Sequence, residues 1–137
     1  EQAVTMASVT TANASDPVVR DFAREVLIEQ RYEIGLMDAY LQARDEVRGD
    51  PERDAMAWMG MGMPVAQMPG YASEDELDAL QSASPEEQNE VFLELMIAHH
   101  RGGVAMAEYA ARPDAAPPEG FGSLADKLRG ALAPRDK

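Results

Sequence analysis

The chain has 137 residues, no Cys, and 25 Asp and Glu against 12 Lys and Arg, for a net charge of −13. One domain of this size buries roughly two-thirds of its unfolded surface and folds without a staple, and the missing Cys excludes disulfides and Cys-ligated zinc. The acidic balance repels phosphate backbones and anionic membranes, which argues against a nucleic-acid partner, and no apolar run is long enough to span a bilayer.

Residues 1–13 (EQAVTMASVTTAN) read as the tail of a helix, and because the chain opens there without Met, further sequence is expected upstream. Asp16-Pro17 starts the next helix: the carboxylate accepts from free first-turn amides, and proline has no amide to leave unpaired. This helix is expected to run from about Pro17 to Val47 and to stop at Gly49. Stepping 100° per residue, Phe22, Ala23, Val26, Leu27, Ile34, Met37 and Leu41 share an arc of about 140°. Arg20, Arg24, Arg31 and Asp38 fall outside it. Gln30 lies near the centre of the stripe and Glu33 near its edge. A buried polar group must be paired, so Gln30 fits either a contact with a neighbouring helix or a place at a site. The helix alone favours the first.

Residues 50–71 differ in kind. Asp50-Pro51 opens a short helical piece, then Gly60, Gly62, Gly70, Pro64 and Pro69 enforce an irregular loop. Met56, Met59, Met61, Met63 and Met68 crowd it. Two readings fit equally here: flexible thioethers filling gaps between helices, or a sulfur cluster for a soft metal.

Ser73-Glu74-Asp75-Glu76 and Ser84-Pro85-Glu86-Glu87 are capping boxes, each starting a helix. The first carries Leu77 and Leu80. The second runs to about Ala111 and is ended by Arg112-Pro113. A Pro-rich connector over 113–120 leads to a last helix, about Phe121 to Ala133, with Phe121, Leu124, Ala125, Leu128 and Leu132 on one side. Strand signals are absent.

The long helix after Ser84 holds both His residues of the chain. From Phe92, Met96, Gly103, Ala107 and Ala110 lie within about 60° on one side, and Leu95, His99 and Met106 within about 60° on the other. His100 lies at about 80°, still within the apolar arc, while Glu90, Glu94, Arg101 and Glu108 face away. Both imidazoles are therefore expected to point inward, near Met96 and Met106, with Gly103 leaving room for a neighbour or ligand. Imidazole and thioether are neutral donors that suit Cu(I) better than oxygen-seeking ions. An inward His is more often a hydrogen-bonded core residue, so spacing alone leaves metal binding the lesser reading. The residues three before His99 and His100 are Met96 and Ile97, not the Glu of di-iron bundles, and the zinc-protease pattern is absent. With no Cys nucleophile, no Ser-His-Asp pattern and no carboxylate pair within the apolar arcs, no enzyme is expected.

EQAVTMAS from Glu1 resembles RGGVAMAE from Arg101, matching Val4, Met6 and Ala7 to Val104, Met106 and Ala107. FAREV from Phe22 likewise resembles LADKL from Leu124. Two hairpins of one plan are implied, with a second Met and His set expected before Glu1. The stretch Phe92-Leu93, Met96-Ile97, His99-His100, Met106-Ala107 resembles the signature of the bacterial family called domain of unknown function 305. Gln30, Glu33, Ile34 and Met37, then Trp58-Met59-Gly60 and Met68-Pro69-Gly70, fit the same family, over nearly the whole chain.

The resemblance implies an all-α, ferritin-like four-helix bundle made of two helical-hairpin repeats, about 1–49 and 84–137, joined by a Met-rich crossover over about 50–72. It implies a protein that is secreted, periplasmic or lipid-anchored, and a copper ion held by Met and His. Carried over, the candidate ligands are Met96, His99, His100 and Met106, with Met59, Met61, Met63 and Met68 from the loop. Gln30, Glu33 and Met37 would support them, Gln30 and Glu33 by orienting a His ring. Tyr71 stands where the family often has another Met, and the second repeat lacks the Gln-x-x-Glu-Ile-x-x-Met pattern. The rival expectation is a structural or interaction module, with Ile28 and Leu36, off the main arc, serving a homo-oligomer or another protein partner.

Overall fold

A computed structural model of the chain describes residues 1–46, 48, 54–57 and 62–112. Its helices are α1 (Gln2–Asn13), α2 (Pro17–Gln42), α3 (Glu74–Ser82) and α4 (Pro85–Ala110). Among the described residues there is no strand, only an isolated antiparallel bridge between Ala55 and Met63. The expected last helix over 121–133 and the short piece at Asp50-Pro51 lie outside the described residues.

Local chemistry accounts for the starts of α2, α3 and α4. Asp16 accepts from the amides of Val18 and Val19, with Pro17 opening the first turn of α2. Ser73 and Ser84 form reciprocal capping boxes with Glu76 and Glu87. Hydrogen bonds from Ser73 hold the Glu76 carboxyl below the usual range, and those from Ser84 do the same for Glu87.

α2 ends earlier than Gly49. Asp45 takes the left-handed conformation (φ 56°). The Asp45 and Glu46 amides then donate back to the carbonyls of Gln42 and Leu41. This is a Schellman closure with Asp in the place that usually falls to Gly, a role Asp's short side chain tolerates.

α1 is the hub on which α2, α3 and α4 pack. Its buried face is Ala3, Met6, Ala7 and Thr10. Small residues at helical spacing let the neighbouring axes approach closely, and the Thr10 hydroxyl is satisfied by the Met6 carbonyl at 2.9 Å. The core adds Val19, Ala23, Leu80, Phe92, Leu95 and Met96. Phe92 is fully buried, worth about 2–3 kcal/mol of apolar transfer, and meets Phe22 edge-on at 6.1 Å. Gln88, also fully buried, donates to the Leu80 carbonyl at 2.9 Å and so closes the end of α3.

Two contacts set the orientation of the bundle. The Ser15 amide donates to Pro85 O, and the Asp16 amide to the Asn89 side chain. The end of α1 therefore meets the start of α4, making α1 antiparallel to α4 and to α2. At the other end the Gln2 side chain pairs with both the N–H and the C=O of Ala72. α1, with 12 residues, rises about 18 Å, whereas α2 and α4, with 26 each, rise about 39 Å. Of the expected inward stripe of α2, the part within reach of α1 is only partly covered: Ala23 is buried, Val26 and Leu27 are half-buried against the core, and Phe22 is 40% exposed, while Val19, outside that stripe, is buried as well. Beyond that reach the stripe is open, and Met37 is 58% exposed.

Candidate metal centre

Past the start of α1, a turn replaces it as the neighbour of α4. Met68-Pro69-Gly70-Tyr71 is a type II turn: Pro69 at the second position, Gly70 at φ 76°, and the Tyr71 amide donating to Met68 O at 3.0 Å. The turn lies backbone to backbone on α4. A side chain on Gly70 would run into the carbonyl of Ala98, and one on Gly102 into the carbonyl of Pro69.

This contact builds one wall of an open cavity of about 380 Å³. Met68 and Tyr71 come from the turn, Gln30 from α2, and His99, His100, Gly103 and Met106 from α4. His99 is half-buried and His100 exposed. The expected inward placement thus holds for His99, while His100 sits at the rim. The angular reason is that His100 is one residue, 100°, further round than His99, past the edge of the covered arc.

The His99 and His100 rings stand 5.9 Å apart, edge to face. A metal bound about 2.0 Å from a ring nitrogen lies about 3.2 Å from that ring's centre, so rings up to about 6.4 Å apart can share one ion. Burial, and then the neighbouring His100, push the His99 pKa below the ordinary histidine value. A ring that resists protonation keeps a lone pair for a ligand. His100 Nδ1 lies 2.7 Å from the carbonyl of Met96, one turn back. With Nδ1 as the donor, Nε2 is left as the free acceptor.

The expected ligands separate into groups. His99, His100, Met106 and Met68 line the cavity. Met96 does not: its side chain is 2% exposed in the core beside α1, and its contribution to the site is the carbonyl that orients His100. Met63 stands half-buried at the bridge with Ala55, away from the cavity lining. Met59 and Met61 lie outside the described residues. Among the expected supporting residues, Gln30 lines the cavity but its amide donates to Glu33 at 3.3 Å. Glu33 and Met37 are exposed. The ring-orienting role expected of Gln30 and Glu33 is taken for His100 by the helix backbone.

Among the described residues, no three His, Asp or Glu side chains come together where they could hold a metal ion. The donors at the cavity are instead two imidazoles and two thioethers. These are neutral and soft-to-borderline, a set that fits copper or a similar ion and does not fit Ca(II) or Mg(II).

Sequence reasoning singled out Gly103 as the close-approach glycine. The structure gives that place to Gly102, since a side chain on Gly103 would meet nothing within 4 Å. The Gly102-Gly103 pair was the available signal, but which of the two faces the turn depends on where the loop lands.

The fold and the cavity define a helical bundle with a His and Met pocket at its open end. The chain belongs to the family described as domain of unknown function (DUF305), which it matches over residues 1–128. It is similar to a DUF305 protein of Streptomyces coelicolor whose name marks it as secreted. That match has 32% identity and a TM-score of 0.69, and covers 82% of this chain and 66% of that one. It is also similar to a DUF305 fragment from Deinococcus radiodurans, with 31% identity, a TM-score of 0.63, and coverage of 83% and 71%. The chain thus spans about two-thirds of the length of the Streptomyces protein, 66%. No curated protein matches it. None of the described helices is long and apolar enough to cross a membrane.

Proposed function

We propose that this protein binds and buffers a soft metal ion, copper foremost, outside the cytoplasm, with no bond made or broken. His99 and His100 supply nitrogen, and Met68 and Met106 supply sulfur. The observation that carries the reading is the convergence of these four side chains on one cavity from two separate parts of the chain. A core that only needed filling would bury them. Here they line an open space beside His99, whose neutral form is favoured. When bound, copper would add a cross-link between turn and helix to the backbone packing that already joins them. The extracytoplasmic setting is supported by the name of the Streptomyces coelicolor protein.

Copper(I) titration against a competing chelator tests the proposal. Binding should be tight in the parent chain, and His99→Ala with His100→Ala should weaken it at least tenfold. Unchanged affinity in that double variant refutes the site.

A second reading, a protein-interaction module, is favoured by one observation. Ile28, Tyr32 and Leu36 are 61%, 67% and 53% exposed in a row along α2. Under that reading, removing metal leaves the melting temperature unaltered, whereas a ligand held only by the folded form must raise it.

A further inference from the structure

We propose that Gly102 is the positioning residue of this site: by lacking a side chain it lets the Pro69 carbonyl rest on α4, and so holds Met68 beside His99. The inference rests on the metal-binding reading above and adds the device that assembles its two halves.

Three observations carry it. Gly102 is buried, and a Cβ there would collide with the Pro69 carbonyl and stand 3.0 Å from the Gly70 amide nitrogen. Gly70, on the other side of the same turn, is equally obligatory: its φ is 76°, and a Cβ there would collide with Ala98 O and stand 3.0 Å from His99 Cα. Ala98 and Gly102 are one helical turn apart, so the Pro69-Gly70 peptide seats across a single turn of α4. The two residues that flank this peptide, Met68 and Tyr71, both line the cavity with His99. The place of Met68 follows from the turn, and the turn's place follows from the backbone contact that only glycine at 102 permits.

Gly35 supplies the control. It lies within α2, does not line the cavity, and a methyl group there would meet nothing within 4 Å. Gly→Ala adds the same intrinsic helix preference at either position, so any difference between the two variants reports the turn.

The experiment measures copper(I) affinity, with copper as the only ligand, in the parent chain, Gly102→Ala, Gly35→Ala, Met68→Leu and the Gly102→Ala, Met68→Leu double variant. Amide exchange at Tyr71, whose N–H closes the turn, is followed without metal. Gly102→Ala is expected to weaken binding at least tenfold, to speed exchange at Tyr71, and to add nothing in the Met68→Leu background. Gly35→Ala should leave both readouts near those of the parent. Parent-like affinity in Gly102→Ala, or additive losses in the double variant, overturns the positioning role while leaving the metal site standing. No copper uptake by the parent chain overturns the metal reading itself. If Gly102→Ala does not fold, the parent decides alone: a Tyr71 amide exchanging at the rate of unstructured chain overturns the inference.

Discussion

The link between the start of α1 and the turn-bearing loop can be broken at one side chain. Gln2 donates to Ala72 O at 2.7 Å and accepts from Ala72 N at 2.8 Å, so one amide satisfies both polar groups of a residue that is 5% exposed. Gln2→Ala removes two neutral hydrogen bonds, each worth about 1 kcal/mol net, and leaves a nearly buried N–H and C=O unpaired, at about 1–3 kcal/mol each if water stays out. Gln2 is only partly buried, and its truncation admits water, so the lower end applies and the expected loss is about 2–3 kcal/mol. For a chain of this length that is a fall in melting temperature of about 8 °C. Gln2→Glu sharpens the test. Its carboxylate still accepts from the Ala72 amide but cannot donate, and it sets negative charge against the Ala72 carbonyl. It should be at least as unstable as Gln2→Ala at pH 7 and should recover below about pH 4, where the introduced carboxyl regains a proton to donate. Urea unfolding at both pH values, with amide exchange at Ala72, reads this directly. Gln2→Ala within about 0.5 kcal/mol of the parent, or a Glu variant of parental stability at pH 7, refutes the reasoning.

Two further outcomes are expected. The His99 pKa is lower in the folded chain than its ordinary value, so the unfolded state binds more protons and stability falls as pH drops through about 6.5, levelling below the folded pKa. Urea midpoints between pH 5 and 8 check the slope, which His99→Gln should reduce. Phe92→Ala, at a fully buried position against Phe22, should cost about 3–5 kcal/mol; a loss below about 1 kcal/mol would mean the core is not built on that ring.

The helices were legible because their signals are local. Asp16-Pro17 and the two Ser-x-x-Glu boxes satisfy first-turn amides within four residues of chain, and they act as caps in the structure. The apolar period of α4 likewise placed Phe92, Leu95 and Met96 inward. The end of α2 was less legible, because closure fell to Asp45, a residue whose left-handed conformation the sequence does not announce as Gly does.

Spacing along a single rigid element is enough to give the helical pattern and to put His99, His100 and Met106 on one stretch of helix. Which Met joins them depends on how the chain packs. Met96 sits where α1 covers α4 and is spent in the core, while Met68, 31 residues before His99 in the chain, arrives through a turn seated on Gly102. Helical period gives direction around one axis, but it does not say how far a neighbouring helix reaches or where a loop comes to rest.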